Sequence, residues 1–130
     1  MSNKIKVSIN GFGRIGRSLL RGYFKYPERY ASKLEIVAVN DIADLPTLAH
    51  LFKYDSVMGQ FDGSIEIQGQ YLVINGQKIR FTQNKFGEVD WKSVGTDVVI
   101  ESTGKFLSKQ DGETHIQGGA KKVIFSAPAK

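Results

Sequence analysis

The chain has 130 residues, 41% of them hydrophobic and 24% charged, and it contains no cysteine. Length and composition fit one globular domain that can bury a core without disulfide or metal staples. The missing cysteines exclude a disulfide, a thiolate zinc site and a cysteine nucleophile within these residues, and two histidines, His50 and His115, do not make a histidine-rich metal site.

The formal charge of +5 is unevenly placed: residues 1–33 carry +7 and the remainder −2. The excess centres on Arg14, Arg17, Arg21, Lys25 and Arg29, and it reads first as a solvated helix face, ahead of an anion site or a polyanion patch. Met1–Lys6 is polar and no targeting signal follows it, while a membrane span would need about twenty apolar residues. The expectation is a soluble, cytoplasmic protein.

In chain order, Ile5–Ile9 alternates and runs into Asn10-Gly11, a strand feeding a tight turn. Ile15, Leu19, Leu20, Tyr23 and Phe24 then recur at helical spacing over about 14–30, with Pro27 expected to end or distort the helix. Leu34–Val39 is a nearly continuous apolar run, as in a strand buried on both faces of a parallel sheet. A short helix is predicted over Asp44–Phe52, starting near Pro46. Ser64–Gln83 reads as an antiparallel meander, with Asn75-Gly76 suited to a type I′ turn. Asp97–Ser102 is a further buried strand, Lys109–Gln117 a helix and Lys122–Ser126 a last strand.

Four parallel strands, helical crossovers and an inserted antiparallel hairpin predict an α/β domain with a doubly wound, mostly parallel, Rossmann-like sheet. A complete dinucleotide-binding sheet has six strands, so this one reads as truncated before its last strand.

Gly11-Phe12-Gly13-Arg14-Ile15-Gly16 matches G-x-G-x-x-G between a predicted strand and a predicted helix. Gly11 would permit the turn, Gly13 would let the backbone approach a pyrophosphate, and Gly16 would let the helix pack closely. The free N–H groups near Arg14 and Ile15 would face the anion. Asp41 lies 25 residues after Gly16, at the end of the second strand. A carboxylate there accepts the adenosine ribose hydroxyls and repels a 2′-phosphate, which favours NAD over NADP; the alternative is a turn or cap carboxylate. Ser102-Thr103-Gly104 ends the next parallel strand and could line the same groove, with Phe106 as an apolar wall, or be a plain loop.

These segments, together with Lys53-Tyr54-Asp55-Ser56, Glu101–Phe106, Gly119–Val123 and Ser126–Lys130, occur in an order that resembles the N-terminal NAD-binding part of the phosphorylating glyceraldehyde-3-phosphate dehydrogenases. The resemblance covers essentially the whole chain. It implies that residues 1–130 form an incomplete N-terminal dinucleotide-binding domain, without the catalytic domain. Gly11, Phe12, Gly13, Arg14 and Ile15 would wrap the NAD pyrophosphate, Asn10 would lie on the nicotinamide side of the turn, and Asp41 would hold the adenosine ribose. Ser102, Thr103, Gly104 and Phe106 would border the adenine and pyrophosphate cleft, and Ser126 would lie near the nicotinamide ribose.

The resemblance further implies a full-length cytoplasmic enzyme of glycolysis, a tetramer, that oxidatively phosphorylates an aldehyde phosphate with hydride transfer to NAD. No catalytic residue and no metal ligand is expected in this chain, which should bind NAD without turnover. His50 and His115 are expected to be surface or packing residues. Two departures stand out: Asn84–Trp91 lacks the family's arginine and proline beside the adenine, and Met58-Gly59 stands where His-Gly is common. The alternatives are an erythrose-4-phosphate dehydrogenase, another NAD-dependent aldehyde dehydrogenase, or a non-enzymatic nucleotide or nucleic-acid binding module.

Overall fold

The computed structural model of the chain describes residues 4–30, 33–55, 59–84, 89–102, 113 and 115–125. Strand β1 (Ile5–Asn10) leads into helix α1 (Arg14–Lys25), and Pro27 opens a separate helical turn, α2 (Pro27–Tyr30). The expected break at Pro27 follows from proline's missing N–H, which only a first helical turn tolerates. Strand β2 (Leu34–Asn40) precedes α3 (Leu45–Lys53), whose N-cap is Asp44: its side chain accepts from Thr47 N at 2.8 Å. Two short strands, β3 (Tyr54–Asp55) and β4 (Gly59–Gln60), pair with each other. Then come β5 (Ile65–Gln68), β6 (Tyr71–Ile74), β7 (Gln77–Thr82), β8 (Val98–Glu101) and β9 (Lys122–Phe125).

Seven strands form one sheet in the order β5-β6-β7-β2-β1-β8-β9. The expected mostly parallel α/β sheet with an antiparallel hairpin is the fold observed. Asn75 and Gly76 sit at φ +50° and +85°, the two positive values a type I′ turn requires. One assignment is corrected. The meander's last strand, β7, also pairs in parallel with β2 through Ala38↔Arg80, Val39↔Phe81 and Asn40↔Thr82. It is therefore a fifth parallel strand, and the meander extends the sheet rather than standing apart. Alternating burial marked β7 as a half-buried strand, but alternation carries no information about the direction of its neighbour.

Val99 is in register with Ser8 and Ile100 with Ile9, so the core divides between the two faces of the sheet. Val7 and Ile9 pack with Leu20 and Tyr23 of α1 and Leu48 and Phe52 of α3. Val99 packs with Val89, Trp91 and Ala120 on the other face. The basic stripe is not a solvated face throughout. Arg21 is buried, with its guanidinium turned onto the main chain at the end of α3. A long apolar stem lets an arginine lie along the core while its head finds carbonyls.

Candidate functional site

The turn between β1 and α1 uses its three glycines for three reasons. Gly11 has φ +96°, a region that a side chain disfavours. Gly13 is the N-cap of α1, and a Cβ built there would meet nothing within 4 Å, so the space above the turn is open. At Gly16 a Cβ would stand 2.5 Å from the Gly11 carbonyl oxygen and 3.1 Å from both Ile9 Cγ2 and Ser102 Oγ. Gly16 thus lets the helix press on its own turn as well as on the sheet. Phe12 is buried and stacks on Phe52 at 6.0 Å, which anchors the turn to the core. Arg14 and Ile15 occupy the exposed first turn of α1, where no acidic residue offsets the helix dipole.

Asp41 is half-buried at the end of β2 and holds this turn in place. Its Oδ2 accepts from Phe12 N at 2.7 Å and its Oδ1 from Ala43 N at 3.0 Å. Each carboxylate oxygen has a second lone pair for another donor. Ser102 approaches from β8: its amide donates to Asn10 O at 2.9 Å, and its buried hydroxyl donates to Gly11 O at 2.5 Å. The Ser102 proton therefore points into the protein. Arg17 Nη1 donates to Phe12 O at 2.9 Å, while its buried Nε has no partner among the described residues.

Below the turn runs a row of polar side chains. Asn10, Asn40, Thr82 and Glu101 end β1, β2, β7 and β8, and the strand registers place them side by side. Asn10 Nδ2 donates to Glu101 Oε1 at 2.8 Å, and Asn40 Nδ2 donates to Asn10 Oδ1 at 2.9 Å. Thr82 Oγ1 donates to Asn40 Oδ1 at 2.7 Å. At the other end His115 Nε2 lies 2.6 Å from Glu101 Oε1, and Trp91 Nε1 donates to His115 Nδ1 at 2.9 Å. Asn10, Asn40 and Glu101 are fully buried, and His115 nearly so. Among the described residues no group of three or more His, Cys, Asp or Glu is placed to hold a metal ion.

Residues 5–109 match the family described as "Glyceraldehyde 3-phosphate dehydrogenase, NAD binding domain". The chain belongs to this family. It is 49% identical over 127 residues to the glyceraldehyde-3-phosphate dehydrogenase of Geobacillus stearothermophilus, covering 97% of this chain and 36% of that protein. It is 46% identical to glyceraldehyde-3-phosphate dehydrogenase A of Escherichia coli K12, and 46% identical to the Trypanosoma brucei brucei protein named cytosolic; each match covers 97% of this chain and 37% of the relative. The chain thus spans little more than a third of the length of these relatives.

Within this glyceraldehyde-3-phosphate dehydrogenase NAD-binding domain, the strand ends bring Asn10, Gly11, Phe12, Gly13, Arg14, Ile15, Asp41 and Ser102 into one neighbourhood. Thr103, Gly104, Phe106 and Ser126 lie outside the described residues, as do residues 85–88 within the altered adenine segment. His50 is an exposed residue of α3, whereas His115 is a packing residue set edge-on to Trp91 at 5.7 Å. Sequence reasoning did not find the partnership of Glu101 with His115, or the alignment of Asn40 and Thr82 with Asn10. The available signal was that four strands each end on a polar residue directly after apolar ones.

Proposed function

We propose that this chain is the NAD-binding part of an enzyme resembling phosphorylating glyceraldehyde-3-phosphate dehydrogenase, and that by itself it binds NAD without turning over. The observation that supports this best is the meeting of Asp41 with the glycine turn, at the carboxyl ends of β1 and β2, where ligands of open α/β sheets bind. The residues fit the dinucleotide. Gly13 opens space over the turn that a side chain would fill, and the first N–H groups of α1, near Arg14 and Ile15, carry a positive partial charge toward it. Gly11 and Phe12 contribute main chain to the same cradle.

Asp41 keeps lone pairs for two ribose hydroxyls while it accepts from Phe12 and Ala43, and its charge disfavours a 2′-phosphate. Asn10 and Ser102 act from beneath, through the position they give the turn. Thr103, Gly104 and Phe106 border the cleft in this reading, and Ser126 lies near the nicotinamide ribose. Bound NAD supplies a hydride acceptor. The family's chemistry also needs a thiolate, which a chain without cysteine does not provide.

In this reading the whole enzyme oxidatively phosphorylates glyceraldehyde 3-phosphate in the cytoplasm, as a homotetramer. Erythrose 4-phosphate is the alternative aldehyde, since the NAD-binding part serves both reactions. A nucleic-acid role is disfavoured because Arg17 and Arg21, two of the five cations of the stripe, are turned onto carbonyls. The test is a calorimetric titration of the chain with NAD at near-physiological salt. Saturable one-to-one binding, weakened about tenfold or more by Asp41→Ala and weaker for NADP, is expected. A folded sample that gives no binding would overturn the claim for the isolated chain.

A further inference from the structure

The polar row at the strand ends has a direction, and one residue sets it. An indole nitrogen only donates, so His115 Nδ1 must accept from Trp91 Nε1, and the ring's proton sits on Nε2. Nε2 then donates to Glu101 Oε1 at 2.6 Å. The same oxygen accepts from Asn10 Nδ2 at 2.8 Å, which turns Asn10 Oδ1 away from Glu101 and toward Asn40 Nδ2. Asn40 Oδ1 is thereby left to accept from Thr82 Oγ1 at 2.7 Å and from the amide of Asn84 at 3.1 Å, while Nδ2 also donates to Asn84 O at 3.1 Å. Both protons and both lone pairs of the Asn40 amide are in use. Flipping either amide would set oxygen against oxygen and N–H against N–H in a buried site.

We infer that Glu101 is a positioning residue for the nucleotide site, setting the orientation of the Asn10 and Asn40 amides and thereby the place of Asn84 and of Asp41 beside the glycine turn. Gly11 N donates to Asn40 O at 2.8 Å and Asp41 N to Thr82 O at 3.1 Å, so the peptide group joining Asn40 to Asp41 is held at both its carbonyl and its N–H by the same arrangement. Glu101 touches no ligand in this scheme. It acts through two asparagines that together span the distance from β8 to β7. The part of the inference that concerns a ligand rests on the NAD-binding reading above; the part that concerns the amides does not.

The test is Glu101→Gln, which keeps the size of the side chain but replaces a charged acceptor with a neutral one, so that its hold on Asn10 Nδ2 weakens. In the 15N-labelled wild-type chain, the side-chain amides of Asn10 and Asn40 should each give one slowly exchanging set of signals. In Glu101→Gln these sets should shift or double and exchange faster, and affinity for NAD and for ADP-ribose should fall together by about tenfold. Unchanged amide signals with unchanged affinity would overturn the inference, even if the melting temperature fell, because a merely structural residue would act in that way.

Thr82→Val cuts the far end of the row without touching Glu101, and should loosen the Asn40 amide more than that of Asn10. If Glu101→Gln does not fold, Thr82→Val and the wild-type exchange rates decide, and amide protons exchanging at solvent rates in the wild type overturn the inference. Locked amides in a wild-type chain that binds neither NAD nor ADP-ribose would refute the nucleotide reading alone.

Discussion

Arg21 of α1 caps the carboxyl end of α3 through Phe52: its Nε donates to the Phe52 carbonyl at 3.0 Å, Nη2 to the same oxygen, and Nη2 also to Lys53 O at 3.2 Å. The last carbonyls of a helix have no partner within it, and a guanidinium supplies planar, charge-assisted donors to them. The same group lies 5.6 Å from the centre of the Phe52 ring and 5.8 Å from that of Phe61. Arg21→Met should keep the apolar stem and lose the cap, destabilising the chain by about 2 kcal/mol in urea unfolding. Arg21→Lys should recover only part of that loss, because an ammonium lacks the fork.

Gly13 and Gly16 should respond oppositely to the same added methyl group. At Gly16 the new Cβ would lie 2.5 Å from a backbone oxygen, so α1 must move, at a cost of about 2 kcal/mol. At Gly13 there is room and φ is −76°, so Gly13→Ala should leave stability within about 0.5 kcal/mol. Its effect should instead appear as weakened NAD binding in a titration. Equal losses of stability in both variants would count against the open space over Gly13.

Asp97 ties the start of β1 to the start of β8. Its Oδ2 accepts from Lys6 N at 2.9 Å, and Lys121 Nζ stands 3.2 Å from Oδ1. The Lys6 amide is the main reason its carboxyl is held below the ordinary value, with Lys121 adding to the effect. A lowered folded pKa contributes stability that is present above the unfolded value and lost as pH falls through the folded one. Asp97→Asn should therefore flatten the fall in stability below about pH 4, and lower stability at neutral pH, in melts recorded from pH 2 to pH 7.

Asn75 carries the one positive φ, +50°, found among the described non-glycine residues, and its Oδ1 accepts from Ser64 N at 3.0 Å. Asn75→Ala should cost about 1 kcal/mol, since alanine is strained in the left-handed region and cannot bond Ser64. Asn75→Gly relieves the strain and loses only the bond, so thermal melts should place it between alanine and the wild type.

The elements around the turn were legible because the hydrophobic period changes there from two to 3.6 and glycines mark the change; Asp44, Pro46 and Asn75-Gly76 were legible for equally local reasons. What escaped is non-local. Nothing in Lys78–Phe81 says that β2 will lie beside it in parallel. Asn10, Asn40, Thr82 and Glu101 each look like the first residue of a loop, and only the sheet register sets them side by side. Arg21 belongs to a basic helical pattern whose solvated reading is the common one, and its burial depends on a helix about thirty residues later. His115 offered no sequence neighbour to pair with, because its partners are 14 and 24 residues away.

The in-register row also bears on how the chain assembles. Its members come from residues 10, 40, 82, 101 and 115, so no fragment short of four docked strands can complete it. A slip of β8 by one residue against β1 would turn Glu101 to the opposite face and set Ile100 or Ser102 beside Asn10 in its place. Apolar strands such as Val98–Glu101 would pack in several registers nearly equally well, and the polar ends make one of them distinct. Closing loops of this length is slow, and the row is satisfied only after it is done. The late, cooperative step of folding should therefore be the proofreading of strand alignment, performed by the same amides that lie beneath the glycine turn.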